Sequence, residues 1–237
     1  MTTPSEPGDV GVLVPAAGFG RRMGGRKKAF MELLGRPLLA RTLEPFLSHP
    51  RVGVVVVALP AAEADAPPEW LTGSGPRLVV VAGGETRTES VYRALNALPD
   101  HIGVVAVHDA ARPLVTREVI DRCLDGVGED TGVVAGWPSV DTLKEVDEEG
   151  RVVATPPRDR FRRAQTPQVF PRAPLEAAYR ASMEAGDPAT DDSALFARAG
   201  GRVQMVAGDP WNLKVTHPGD LEVAAFLLRR RGEGGAA

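Results

Sequence analysis

The chain has 237 residues, 28 of them Lys or Arg and 31 Asp or Glu, so its net charge of −3 argues against general binding of polyanions. Hydrophobic residues make up 43% of it against 26 Gly and 21 Pro, enough to bury a sizeable core and to exclude a disordered or collagen-like chain. Only Lys27, Lys28, Lys144 and Lys214 are lysines, which leaves 28 − 4 = 24 arginines. In chain order, Val10–Pro15 predicts a strand, Pro37–Ser48 a helix with Leu38, Leu39, Leu43, Phe46 and Leu47 on one stripe, and Val52–Leu59 and Leu78–Ala82 two further strands. Glu89–Leu98 predicts a helix, Ile102–His108 a strand, Arg117–Leu124 a helix and Gly132–Ala135 a strand. The strand runs are Val-rich without polar alternation, the pattern of strands buried on both faces. Residues 138–158 predict a hairpin arm, extended over Val140–Val146 and Arg151–Thr155 with a turn at Asp147–Gly150. Helices follow at Pro174–Glu184 and Asp191–Ala199, a strand near Val203–Val206, a last helix from Pro218 to Arg231, and a frayed tail over Gly232–Ala237. The alternation of strand and helix implies one α/β domain over residues 1–237 with a mainly parallel sheet and right-handed crossovers.

Cys123 is the only cysteine, which excludes an intramolecular disulfide and argues against a thiolate zinc site; it reads as a helix-packing residue. The longest apolar run has eight residues, Val52–Leu59, against roughly 20 needed to cross a bilayer. The segment MTTPSEPGD has prolines and acids where a signal peptide needs a basic flank and an apolar stretch, so a soluble, cytoplasmic protein is expected.

The chemistry-bearing segment is the glycine-rich turn after the first strand, Pro15-Ala16-Ala17-Gly18-Phe19-Gly20-Arg21-Arg22-Met23-Gly24-Gly25-Arg26-Lys27-Lys28. Small residues let the backbone approach a phosphate, successive N–H groups form an anion cradle, and the basic residues supply charge for a triphosphate. No Gly-Lys-Ser/Thr tripeptide of a P-loop occurs. The dinucleotide fingerprint fails at Met23, and the second strand ends in Leu59-Pro60 instead of the acid that holds a ribose of NAD.

VPAAGFGRRM resembles the signature loop of the nucleotidyltransferases, in particular the 2-C-methyl-D-erythritol 4-phosphate cytidylyltransferase family. Further motifs extend the resemblance in the family's order: Gly83-Gly84-Glu85-Thr86-Arg87-Thr88-Glu89-Ser90-Val91, His108-Asp109-Ala110-Ala111-Arg112-Pro113, Asp141-Thr142-Leu143-Lys144, Thr166-Pro167-Gln168, Thr190-Asp191-Asp192-Ser193 and Asn212-Leu213-Lys214-Val215-Thr216. It implies a three-layer Rossmann-like nucleotidyltransferase fold with a twisted, mainly parallel sheet and a projecting β-hairpin arm. It also implies transfer of CMP from CTP to a methylerythritol phosphate with release of pyrophosphate. Counting back seven places from Gly35-Arg36-Pro37 puts the family's catalytic lysine at Lys28, flanked by Lys27 and Ala29 where the family has Pro and Gln; Lys27 is the alternative in a register shifted by one.

The resemblance assigns the rest of the site. Arg22, Lys28 and Lys214 are the candidate catalytic cations, and Asp109 would hold Mg²⁺ or another divalent cation against the phosphates. Backbone groups of Ala16, Ala17, Gly18, Gly20 and Gly84, together with Glu85 and Ser90, would hold the nucleotide and select cytosine; the family usually has Asp where Glu85 stands. Asp109, Arg112, Thr166 and Thr190 are candidates for the polyol phosphate. Thr142 and Arg158 on the arm would reach it from a second subunit of a homodimer, an Arg fork being suited to two phosphate oxygens. His108 reads as a structural imidazole, because a phosphate monoester with a second pKa of about 6 attacks without a general base. Two other readings share much of this pattern: a ribitol 5-phosphate or other polyol-phosphate cytidylyltransferase, and a nucleotide-binding protein without turnover.

Overall fold

The structure, a computed structural model, describes residues 8–18, 28–187 and 191–232, with Lys28 by its backbone alone. Seven strands form the central sheet: β1 (Val10–Pro15), β4 (Val52–Leu59), β5 (Leu78–Ala82), β6 (Val104–Val107), β7 (Thr131–Pro138), β10 (Arg162–Pro171) and β11 (Arg202–Ala207). Their order is β11-β7-β10-β6-β1-β4-β5. The pairs β1/β4, β1/β6, β4/β5 and β7/β11 are parallel, whereas β10 is antiparallel to both β6 and β7, so only β10 opposes the others. The central strands β1, β4 and β6 are buried on both faces as their Val-rich runs predict, while β5 and β11 are edges with partly or fully exposed side chains.

Helices cover both faces. On one side lie α1 (Leu38–Leu47) and α5 (Arg117–Gly126), whose buried Leu39, Leu43, Phe46, Val119, Ile120 and Cys123 pack on Val12, Val55 and Val57. Each fully buried side chain of this size contributes about 1.5–3 kcal/mol. Cys123 is buried as expected, and burial pushes its thiol up to about 12. The opposite face carries α4 (Arg87–Asn96), α6 (Arg172–Ala185) and α7 (Asp192–Arg198), with Val91, Leu95, Leu175, Tyr179, Leu195 and Phe196 packed on Val54, Val56, Val105 and Phe170. The last helix, α8 (Pro218–Arg230), closes a third cluster with the short hairpin β2 (Glu32–Leu33) and β3 (Arg36–Pro37). The short helices α2 (Ala61–Asp65) and α3 (Glu69–Thr72) connect β4 to β5.

The arm departs from β7 and returns into β10; its own pairing is brief, β8 (Glu145–Val146) against β9 (Val152–Ala154). Val140, Val146, Val152 and Val153 on it are more than half exposed. β10 is the largest difference from the sequence-based expectation, in which residues 162–171 carried no strand. Arg162, Arg163, Gln165 and Pro167 mask it, and the register against β7 shifts between Ala164 and Gln168, around a cis Thr166–Pro167 peptide. Helix starts also differ by a residue or two: Pro37 is the N-cap of α1 instead of its first turn, and Thr86 caps α4 so that the helix begins at Arg87.

Candidate active site

The strand order reverses around β1, which lies between β4 and β6, and the C-terminal ends of these strands with β5 open into a cavity of about 440 Å³. This is where an open α/β sheet presents loops to a ligand. Three loops build it. The turn after β1 contributes Ala16, Ala17 and Gly18, the turn after β5 contributes Gly84, Glu85 and Thr86, and the turn after β6 contributes Asp109. Arg87 and Ser90 from α4 and Lys214 from the segment before α8 complete the wall.

The two glycine-bearing walls are fixed by backbone bonds to the end of β4: Ala16 N–H donates to the Ala58 carbonyl (2.8 Å) and Gly83 N–H to the Leu59 carbonyl (2.7 Å). They approach so closely that a Cβ on Gly83 would lie 2.5 Å from Ala17 Cβ and 3.2 Å from the Leu59 oxygen. A capping arrangement holds the next turn. Thr86 Oγ1 accepts from Glu89 N–H (3.0 Å), and Glu89 Oε2 accepts from Glu85 N–H (2.9 Å). The backbone bond from Glu85, with Arg93, holds the half-buried Glu89 carboxyl below its usual range. The Ser90 hydroxyl is turned into the same loop, accepting from Gly84 N–H (3.1 Å) and donating to the Thr86 carbonyl (2.9 Å). These bonds fix the shape of the loop, whose Glu85 side chain is exposed.

The charged end of the cavity is built on Asp109. Its Oδ2 faces Lys214 Nζ at 2.9 Å and Arg112 Nε at 3.3 Å, and its Oδ1 lies 3.9 Å from Arg87 Nε. Burial alone would raise the Asp109 pKa, but Lys214, Arg87 and Arg112 outweigh it and hold the carboxyl well below the usual carboxylate range. Arg112 is itself buried, its other nitrogens donating to the Asn212 carbonyl (2.8 Å) and the Ala164 carbonyl (3.3 Å), so it stands behind Asp109 and not on the cavity surface. Thr166, also buried behind Asp109, accepts from Asp109 N–H at 3.0 Å and meets His108 Nδ1 at 3.0 Å. His108 Nε2 faces the Arg112 carbonyl at 3.2 Å, which accepts only, so the proton is on Nε2 and the Thr166 hydroxyl donates to Nδ1. Burial holds the His108 pKa down at about 4, so the ring is neutral at pH 7, in keeping with the structural role read from sequence.

The cavity thus gathers Ala16, Ala17, Gly18, Gly84, Glu85, Ser90, Asp109 and Lys214 from the residues singled out by sequence, with Arg112 and Thr166 in support behind them. Thr142 and Arg158 are exposed on the arm and do not line it; Arg158 donates to the Val140 carbonyl (2.9 Å), while Lys144 bonds Thr155 across the arm (2.8 Å). Gly20, Arg22, Thr190, Lys27 and the Lys28 side chain lie outside the described residues. Arg87 was not among the residues singled out, although it stands inside the GGETRTESV motif. Its signal was an arginine at the first position of a helix that follows a glycine pair.

A single ionised carboxylate whose Oδ1 accepts no hydrogen bond from the described residues suits a cation such as Mg²⁺, which takes one or two protein carboxylates and completes its shell with phosphate oxygens and water. Among the described residues there is no cluster of three or more His, Cys, Asp or Glu side chains that would cage a metal by themselves. No helix of the described residues is long and apolar enough to cross a membrane.

A family model, IspD: 2-C-methyl-D-erythritol 4-phosphate cytidylyltransferase, matches residues 10–230. Proteins named 2-C-methyl-D-erythritol 4-phosphate cytidylyltransferase include one from Symbiobacterium thermophilum, 42% identical over 221 residues and covering 92% of each chain. One from Frankia casuarinae is 45% identical over 223 residues, 93% of this chain and 82% of its own. The crystal structure of such an enzyme from Thermus thermophilus matches with a TM-score of 0.78 at 39% identity, over 93% of this chain and 99% of that one. That of 4-diphosphocytidyl-2C-methyl-D-erythritol synthase from Anaerococcus prevotii matches at 0.83 with 27% identity, over 94% and 99%. With the turns after β1, β5 and β6 meeting in one cavity and the match running almost end to end, the chain belongs to the 2-C-methyl-D-erythritol 4-phosphate cytidylyltransferase family.

Proposed function

We propose that this chain transfers CMP from CTP to 2-C-methyl-D-erythritol 4-phosphate, giving 4-diphosphocytidyl-2-C-methyl-D-erythritol and pyrophosphate, a step of the non-mevalonate isoprenoid pathway. The observation that carries the reading is the placement of Asp109 and Lys214 in one cavity with the Ala16–Gly18 and Gly84–Glu85 turns. An oxygen of the acceptor's phosphate attacks the α-phosphorus of CTP, the bond from that phosphorus to the bridging oxygen breaks, and pyrophosphate leaves with the electron pair. The attacking oxygen is already ionised, so the protein's task is to align two anions and offset their charge.

Lys214 supplies a compact positive charge at the charged end, joined in this reading by Arg22 and Lys28 of the glycine-rich turn. The Ala16, Ala17, Gly18 and Gly84 backbone, Gly20, Glu85 and the loop shaped by Ser90 receive the nucleotide. Asp109 would hold a divalent cation, which when bound offsets phosphate charge. Arg112 and Thr166 act behind Asp109, and Thr190 is the further candidate for binding the acceptor. The exposed valines of the arm support a homodimer in which Thr142 and Arg158 of each chain serve the partner's acceptor site. A cytoplasmic setting belongs to the same reading, with the one thiol buried and reduced.

Pyrophosphate release tests the substrate assignment. With CTP and methylerythritol phosphate, release requires both substrates and falls at least 100-fold in Lys214→Ala. Faster release with ribitol 5-phosphate would transfer the chain to the sister activity, and no release with any polyol phosphate would leave only nucleotide binding.

A further inference from the structure

The Asp191-Asp192-Ser193 motif has no task in the reaction so far described. Asp191 caps α7, accepting from Ala194 N–H at 2.9 Å, and accepts from Gln168 Nε2 of β10 at 2.8 Å, while Gln168 Oε1 accepts from Ser193 N–H at 2.9 Å. Asp192 does something else. It is 1% exposed and takes both terminal nitrogens of Arg87, Nη1 to Oδ1 at 2.8 Å and Nη2 to Oδ2 at 2.6 Å, with the buried Tyr179 hydroxyl donating to the same Oδ1. A bidentate pair of this kind fixes the guanidinium plane as well as its place. Burial works against the Arg87 charge, and Asp192 more than offsets it, raising the pKa. The remaining nitrogen, Nε, is then held 3.9 Å from Asp109 Oδ1, in the cavity wall.

We propose that Asp192 is a positioning residue of the active site: through Arg87 it sets a rigid cationic wall beside Asp109, with Tyr179 locking the arrangement. The three partners come from α4, α6 and α7, so the helical layer on that face is coupled to the charged end of the cavity at one point. The formal charges explain why an aspartate is used. Arg87, Arg112 and Lys214 bring +3 and Asp109 and Asp192 bring −2, so the cluster carries +1 before a nucleotide enters. Neutralising Asp192 raises this to +2 while freeing Arg87 to move. Affinity for CTP should hold or increase, whereas alignment of the reacting phosphates, which depends on placement at the scale of an ångström, should worsen.

This inference rests on the activity proposed above, and the measurement separates the two. Kd for CTP and single-turnover rate of CMP transfer are compared for wild type, Asp192→Asn, Arg87→Lys and the double variant, with thermal unfolding as the check on folding. Asp192→Asn is expected to keep Kd for CTP within twofold or tighten it while the rate falls at least tenfold. The double variant should be no more than about twofold slower than the slower single variant, because both act through one contact. Tyr179→Phe, which removes one hydroxyl and leaves the pair, keeps the test open if Asp192→Asn does not fold; a rate loss of two- to fivefold with unchanged Kd is expected. Rates equal to wild type in these variants, multiplicative losses in the double variant, or parallel losses of affinity and rate would overturn the positioning role. An inactive wild type would instead contradict the proposed function.

Discussion

Replacing Thr166 by Val tests the support behind Asp109. The exchange nearly keeps shape but removes a hydroxyl that is 4% exposed and serves two buried groups, the Asp109 N–H and His108 Nδ1, each at 3.0 Å. No other hydrogen bond is described for either group, so the substitution orphans a donor and an acceptor together. Each orphan costs about 1–3 kcal/mol, giving a loss of about 2–6 kcal/mol in unfolding free energy. Urea unfolding at pH 7.5 reads the loss directly, with Thr166→Ser as the control that restores the hydroxyl and most of the stability. Loss of the bond that holds the Asp109 main chain should also lower kcat at least tenfold with little change in Kd for CTP. A stability loss under about 1 kcal/mol with a raised KM for the acceptor alone would deny Thr166 this supporting place and make it a substrate contact.

Three further predictions concern other parts of the site. His108, neutral in the folded protein down to about pH 4, gains a proton near pH 6.5 on unfolding, so its effect appears as pH falls below 6.5. Between pH 7.5 and 5 it should cost the wild type about 2 kcal/mol of stability that His108→Gln does not lose, and equal pH dependence in the two would show that the folded ring takes a proton. In Gly83→Ala the new Cβ, 2.5 Å from Ala17 Cβ and 3.2 Å from the Leu59 oxygen, must separate the two walls; a stability loss of about 1–3 kcal/mol and at least tenfold weaker CTP binding are expected by titration calorimetry. For the arm, mixing Arg158→Ala with Lys28→Ala chains should restore part of the activity through one intact site per dimer, and no recovery after demonstrated subunit exchange would deny the shared site.

Much of the fold was legible because the buried parallel strands are written in valine. β1 and β4 match the expected bounds, and the stripe on α1 is the one that packs. β10 was not, since it opens with Arg162 and Arg163 and its middle carries Pro167 and a Gln165 turned to Asp209 and Asn212, none of which fits a strand pattern. At the site, motifs located the cavity wall well, since Gly, Ala and Asp at strand ends have local reasons to be there. What they could not convey is which nitrogen faces which oxygen. Arg112 bonds Asp109 and the Asn212 carbonyl, pairings its motif does not announce, while Arg87, hidden among polar neighbours, reaches the wall because a residue 105 positions away holds it. Long-range pairings of that kind leave no trace in spacing.

In the proposed reaction this cavity moves a cytidylyl group from one phosphate to another. CTP labelled at its α-phosphorus, incubated with methylerythritol phosphate and a divalent cation, measures that movement directly. The label is expected to pass to a cytidine diphosphate ester of the polyol with one pyrophosphate released per transfer, and Lys214→Ala to slow both together. Label recovered only as CMP, or remaining in CTP, would contradict it.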